Sequence, residues 1–234
     1  MSHFLAELIG TMILIILGDG VVANVVLKKT GGNSSGLIVI ATGWAFAVGI
    51  PAWIFGGISG AHFNPALTIG LAAIGKFAWA EVPTYIAGQM LGAILGAIVV
   101  WIHYNPHFAV TEDKGAKLAV FCTGPSIKNT PFNFISEFIG TFMLVFAILG
   151  LGTLQMAPGL GTLAVAFLIW SIGVSLGGTT GYAINPARDL GPRIAHAILP
   201  IAGKGDSNWG YAWIPVVAPI AGAVVAALTF SAIF

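Results

Sequence analysis

Asn64-Pro65-Ala66 and Asn185-Pro186-Ala187 are one tripeptide written twice, 121 positions apart. An asparagine side-chain oxygen accepts from a free backbone N–H in the first turn of a helix. A proline directly after it stands where its missing N–H is not needed. Each copy therefore reads as a helix start, and each asparagine keeps an NH₂ that can donate to a passing neutral molecule. Arg188 directly follows the second copy; a charge in an apolar segment is costly, so it either faces a cavity or is salt-bridged within Pro186–Leu199. Before the two motifs, the non-helical stretches Gly60, Ala61, His62, Phe63 and Gly181, Tyr182, Ala183 offer backbone carbonyls to the same molecule. No nucleophile stands beside a base, and there is no phosphate loop. One cysteine, Cys122, excludes an intramolecular disulfide and a cysteine-based metal site. His62 has no second ligand near it, so it reads as a loop-shaping histidine. The chemistry on offer is passage rather than reaction, with no metal and no cofactor.

The elements that position these groups belong in a bilayer. Of 234 residues, 57% are hydrophobic and 7% charged, against about 25% charged in soluble domains. The net charge of +1 gives no footprint for nucleic acid. Six apolar spans are expected near Phe4–Leu27, Gly36–Ile58, Val82–His103, Phe132–Gln155, Gly159–Leu176 and Tyr211–Ile233. Each is close to the roughly 20 residues that cross a bilayer. The first begins at once and runs without a small-residue cleavage site, so it reads as a retained span rather than a signal peptide. Two shorter stretches, Pro65–Ile74 and Pro186–Leu199, each start at the tripeptide. A helix of about ten residues is ~15 Å long and reaches only the midplane. Two such N-termini meeting there each carry roughly half a positive charge, which opposes cations and protons.

The halves repeat. Ala6-Glu7-Leu8-Ile9-Gly10-Thr11 opens the first span and Ser136-Glu137-Phe138-Ile139-Gly140-Thr141 the fourth. The order span, span, half-helix, span then recurs. Three crossings are odd, so the second half enters from the opposite face, giving an inverted repeat. The expected layout is one channel domain, 1–234, with repeats at about 1–103 and 132–234. Tyr104–Pro131 is read as a polar linker. Gly88, Gly92 and Gly96 fall on one helical face and suit close helix approach. With the N-terminus inside, Lys28, Lys29, Lys114, Lys117, Lys128 and Lys204 fall outside and only Lys76 inside. That count runs against the positive-inside rule.

The two loops, Ser59-Gly60-Ala61-His62-Phe63-Asn64-Pro65-Ala66 and Thr180-Gly181-Tyr182-Ala183-Ile184-Asn185-Pro186-Ala187-Arg188-Asp189-Leu190-Gly191-Pro192-Arg193, closely resemble those of the aquaporin, or major intrinsic protein, family. The resemblance covers essentially the whole chain. It implies an all-α membrane protein with six transmembrane helices and two re-entrant half-helices in an aquaporin-like fold. Asp189 is a branch marker of the glycerol facilitators, with Arg193 and Pro215 in accord; Val216 departs slightly from that branch. By spacing, the family's selectivity filter maps onto Trp44, Gly173, Tyr182 and Arg188. Gly173, where water-selective members carry histidine, is expected to widen the opening. Trp44 and Tyr182 are expected to face the carbons of a polyol. Val48, Leu144 and Ile169 are expected on the apolar pore wall. The resemblance further implies a homotetramer in the cell membrane, bacterial in type, with cytoplasmic termini. The expected cargo is glycerol with water, and with dihydroxyacetone, urea or undissociated lactic acid as further small neutral solutes.

Rival readings remain at this point. A water-selective channel shares the fold, but Gly173 and Asp189 speak against it. A proton-coupled transporter would use Glu7, Asp19 or Glu137. The repeat-related placement of Glu7 and Glu137 favours loop support instead. Asp19, in Gly18-Asp19-Gly20, either faces the outer vestibule or pairs within the protein.

Overall fold

A computed structural model describes all 234 residues. The helices are α1 (His3–Val26), α2 (Leu37–Ser59), α3 (Pro65–Ala73), α4 (Val82–His103), α5 (Asn105–Val110), α6 (Lys114–Phe121), α7 (Thr130–Leu151), α8 (Leu160–Leu176), α9 (Pro186–Ile198) and α10 (Ile214–Ile233). There is no strand. α1, α2, α4, α7 and α10 are long and apolar enough to cross a bilayer. α8 is apolar too but has 17 residues, one turn fewer than a typical span. The fourth span stops at Leu151 rather than Gln155, because a turn at Gly152–Leu154 closes it.

The asparagines start the half-helices as their chemistry requires. Asn64 Oδ1 accepts from Ala66 N at 2.9 Å, and Asn185 Oδ1 from Ala187 N at 3.0 Å and Arg188 N at 3.2 Å. Proline occupies the first turn in both. α3 and α9 come together at these ends: Asn64 Nδ2 donates to Ile184 O at 2.9 Å and Asn185 Nδ2 to Phe63 O at 2.8 Å.

Helix packing follows the same repeat. α1 lies along α4, and α7 along α10. The close approach rests on glycine. A Cβ on Gly92 would stand 2.2 Å from the Leu8 carbonyl oxygen, and one on Gly222 would stand 2.4 Å from that of Phe138. Leu8 and Phe138 are 130 positions apart, as are Gly92 and Gly222 and the two carboxylates Glu7 and Glu137. Gly88 and Gly96 extend the α1 contact one turn each way, facing the carbonyls of Phe4 and Met12. Between lipid-exposed helices there is no hydrophobic driving force, so backbone proximity of this kind supplies the dispersion attraction.

The connecting segment differs from its sequence reading. It folds as α5 and α6, and Phe108, Thr111, Lys117, Val120 and Phe121 within it are buried. Two lysines that break the positive-inside count are structural donors. Lys204 Nζ donates to the carbonyls of His196, Ala197 and Leu199 at the C-terminal end of α9, at 2.6, 2.7 and 2.7 Å. Lys117 Nζ donates to Ala202 O. A cation at a helix C-terminus satisfies free carbonyls and complements the dipole, so these charges answer to the fold as well as to topology.

Gly92→Val is expected to force α1 and α4 apart and destabilise the protein by about 3 kcal/mol, the upper end of ordinary overpacking. A lower unfolding temperature in detergent would report it. Gly20→Ala is the control, since a Cβ there meets nothing within 4 Å; an equal loss in both variants would refute the packing argument.

Candidate functional site

Each loop before a half-helix twists through the left-handed region at matching positions. Gly60, Ala61 and Phe63 have φ of 79°, 53° and 49°; Gly181, Tyr182 and Ile184 have 86°, 38° and 44°. Non-glycine residues rarely hold such values without support. The support is a carboxylate. Glu7 accepts from His62 N at 3.0 Å and Phe63 N at 2.7 Å, and also from Ser59 Oγ and Gln89 Nε2. Glu137 accepts from Ala183 N at 3.0 Å and Ile184 N at 2.9 Å. A trans peptide points its C=O opposite to its N–H. The carbonyls of Ala61, His62, Tyr182 and Ala183 therefore point away from the glutamates.

They point toward a cavity of about 450 Å³. Gly60, Ala61, His62, Phe63, Tyr182 and Ala183 line it, as do Asn64 and Asn185. Each asparagine spends one amide hydrogen on the opposite loop and keeps the other. The carbonyl of Phe63 is engaged by Asn185. Pro65, Ala66, Pro186 and Ala187 are buried in the first helical turns and do not line the cavity. Gly181 also lies off the wall, packed toward Thr123. Val48, Leu144 and Ile169 form part of an apolar wall, joined by Leu14, Ala52, Ile148 and Val165. The lining thus combines loop carbonyls and asparagine amides with a set of apolar side chains. His62 is fixed by Thr68, 3.1 Å from its Nδ1, and by the rings of Phe77 and Tyr85.

Trp44, Tyr182 and Arg188 meet in one corner of the lining. The Arg188 guanidinium carbon stands 4.1 Å from the centre of the Trp44 ring, a cation–π distance. Its Nη1 donates weakly to Phe121 O at 3.4 Å. Gly173 does not reach the wall. A Cβ there would stand 2.9 Å from the Tyr182 Cζ and hydroxyl oxygen, and one on Gly177 would stand 2.5 Å from the same ring. The room left by Gly173 is therefore taken by the Tyr182 phenol, not by open lumen. Gly18 does the same for Trp44, at 2.3 Å.

Behind this corner are charges. Asp189 is fully buried. Its Oδ1 accepts from Arg193 Nε at 2.9 Å and Nη2 at 2.7 Å, and its Oδ2 from Thr123 N and Oγ1, both at 2.7 Å. Arg193 also donates to the carbonyls of Thr123, Ser207 and Asn208. Asp189 thus ties the half-helix to the connecting segment. Asp19 does not face a vestibule. It is fully buried, with Oδ1 3.7 Å from Arg188 Nη1. The sequence carries no separate signal for that pairing except the flanking glycines, one of which admits Trp44.

Comparison with known proteins agrees with this geometry. Residues 1–230 match the family model described as Major intrinsic protein. The chain is 58% identical over 234 residues to the probable glycerol uptake facilitator protein of Thermotoga maritima, with both chains covered in full. It is 59% identical over 234 residues to the glycerol uptake facilitator protein of Bacillus subtilis, covering 100% of this chain and 85% of that one. It is 41% identical over 229 residues to the D/L-lactic acid transporter of Lactiplantibacillus plantarum, covering 96% and 94%. The crystal structure of the aquaglyceroporin from Plasmodium falciparum superposes with a TM-score of 0.86 at 32% identity, covering 97% of this chain and 94% of that one. Paired half-helices capped by Asn64 and Asn185, glutamate-held loops and a family match over nearly the whole length agree: this multi-pass membrane protein belongs to the major intrinsic protein family.

Proposed function

We propose that the chain is a passive channel for glycerol and other small neutral solutes, with water as a co-permeant. The carrying observation is the mixed polar and apolar lining of the cavity. A polyol has a carbon backbone on one side and hydroxyls on the other. Val48, Leu144 and Ile169 suit the carbons. Arg188, Asn64, Asn185 and the loop carbonyls replace the hydration shell. Trp44, Tyr182 and Arg188 form the selectivity filter, with Gly173 acting through the placement of Tyr182. Glu7 and Glu137 hold the loops, and Asp189 anchors the half-helix beside them. The relatives named as glycerol uptake facilitators support glycerol as cargo. The relative named as a lactic acid transporter extends the class to undissociated lactic acid. Dihydroxyacetone and urea fit the same cavity chemistry.

The glutamates do not suit a proton relay. Glu7 holds four hydrogen bonds and Glu137 holds two backbone amides in place, so a change of protonation would release the pore wall. We read the chain as one channel domain of inverted repeats, 1–103 and 132–234. We infer a homotetramer with one pore per protomer. The apolar outer faces of α2 and α8, which expose Phe46 and Phe167, suit lipid or a second copy.

In proteoliposomes, stopped-flow light scattering is expected to show glycerol entry well above protein-free vesicles; fast water flow with background glycerol entry overturns the reading in favour of a water channel. Gly173→Ala should push the Tyr182 ring into the lumen and slow glycerol about fivefold, a barrier rise on the order of 1 kcal/mol, with a smaller effect on water. Equal loss of both would place Gly173 outside the filter. Arg188→Val removes the cation at the mouth and leaves the Asp19 carboxylate without a counter-charge. Cation leak through reconstituted vesicles is expected to rise, and an unchanged leak would take Arg188 out of the constriction.

A further inference from the structure

Asp19 is a buried carboxylate that the pore as described does not use. Its side chain is 0% exposed, and neither of its oxygens has a hydrogen-bond partner. The other buried carboxylates are subscribed. Glu7 and Glu137 hold the loops, and both oxygens of Asp189 are taken by Arg193 and Thr123. Arg188 therefore has one anionic partner within 4.0 Å, and it is Asp19 at 3.7 Å. That distance is ion-pair range without a formed hydrogen bond. Asp19 does not line the cavity, while Arg188 does. The carboxylate stands behind the guanidinium and pulls it toward α1.

The remaining contacts of Arg188 are weak guides. One is the 3.4 Å bond to Phe121 O, the other the Trp44 ring on one face. An arginine in a membrane interior seeks acceptors or water. Without Asp19, the long bond to Phe121 O is the one protein acceptor left to it, and the lumen offers the others. The side chain would then extend across the space between Trp44 and Tyr182. A water molecule passes a narrowed gap more easily than a three-carbon polyol.

We propose that Asp19 is a positioning residue for solute selectivity: it holds Arg188 back against the α1 wall and so keeps the mouth wide enough for solutes larger than water. This inference rests on the functional reading above. It differs from that reading by assigning a role to a residue that touches no solute.

The test is the ratio of glycerol to water permeability in proteoliposomes of the full chain. Asp19→Ala and Asp19→Asn are expected to lower that ratio about threefold, in keeping with a modest narrowing of a single constriction. Alanine suits a helix interior, and asparagine keeps the volume, so at least one variant should reconstitute. The same substitutions are then made on Arg188→Val. If Asp19 acts through Arg188, they leave the ratio of that background unchanged. A role confined to packing predicts the same drop in both backgrounds, and that result overturns the proposal. So does an unchanged ratio in the single variants when wild-type glycerol flux is present. Absence of wild-type glycerol flux overturns the functional reading and this inference with it.

Discussion

Two stretches of non-helical backbone sit at membrane depth, and every other feature is arranged to make that tolerable. Hydrocarbon offers no partner for a free N–H or C=O, so irregular backbone survives there only when enclosed by protein or facing a cavity. Here the burden is divided by direction. The amides of His62, Phe63, Ala183 and Ile184 turn inward to Glu7 and Glu137. Their paired carbonyls turn to the cavity. The carbonyls of Phe63 and Ile184, at the crossing point, are met by the asparagine of the opposite loop. Each carboxylate thus defines a row of acceptors without touching the lumen. Because Glu7 and Glu137 stand on α1 and α7, the packing of those helices fixes the pore wall. Gly10 and Gly140, three residues further on, make room for the side chains that close each loop. A Cβ at Gly10 would stand 2.0 Å from the Phe63 ring, and one at Gly140 2.9 Å from Ile184.

The two halves share a backbone but not a charge pattern. α3 carries no ionised group. α9 carries Arg188, Asp189 and Arg193, and draws Asp19 from α1 and Thr123 from the connecting segment. Isolated charges in this setting are expensive, and breaking a buried pair is strongly destabilising. Two carboxyl groups stand against two guanidiniums. The pairs are unequal. Arg193 and Asp189 are closed by two hydrogen bonds and face no solute. Arg188 and Asp19 are open, and Arg188 keeps N–H groups free for the cavity. The connecting segment belongs to this arrangement, which is why its aromatic residues are buried although its charges suggest a solvated linker.

Most of the frame was legible in the sequence because it rests on local chemistry. Asparagine followed by proline favours a helix start by local hydrogen bonding, and α3 and α9 begin where the motif says. Long apolar runs gave the spans to within a few residues, and the repeated Glu-x-x-Gly gave the equivalence of α1 and α7. What escaped was set by distant partners. Nothing near Asp19 in sequence announces Arg188, which is 169 positions away. The pull of Lys204 and Lys117 toward backbone carbonyls distorted the charge count. The connecting segment reads as polar because Glu112, Asp113 and Lys114 stand exposed between two helices of six and eight residues, too short for a clear periodic signal, while Lys117 is buried among the apolar side chains. The family resemblance proposes filter positions, but resemblance gives a residue's place and not what fills the space beside it.

Gly173 makes that last point concrete and bears on how the mouth discriminates. A missing side chain at a constriction suggests a wider hole. Instead Gly173 and Gly177 let the Tyr182 ring pack close against the end of α8, and Gly18 lets Trp44 pack against α1. The glycines convert empty volume into two immobilised aromatic surfaces. A planar ring clamped this way presents apolar area at little entropic cost, since it has few rotamers to lose. Arg188 stands beside them with its face on Trp44 and its donors toward the cavity. Water can use only the donors. A polyol can use the donors and bury its CH groups on the rings, recovering about 25 cal/mol for each Å² of apolar surface removed from water. That gain offsets part of the dehydration that a larger solute must undergo. On the proposed function, selectivity at this corner is a matter of surface chemistry as much as of diameter, and the glycines matter for which walls they hold in place.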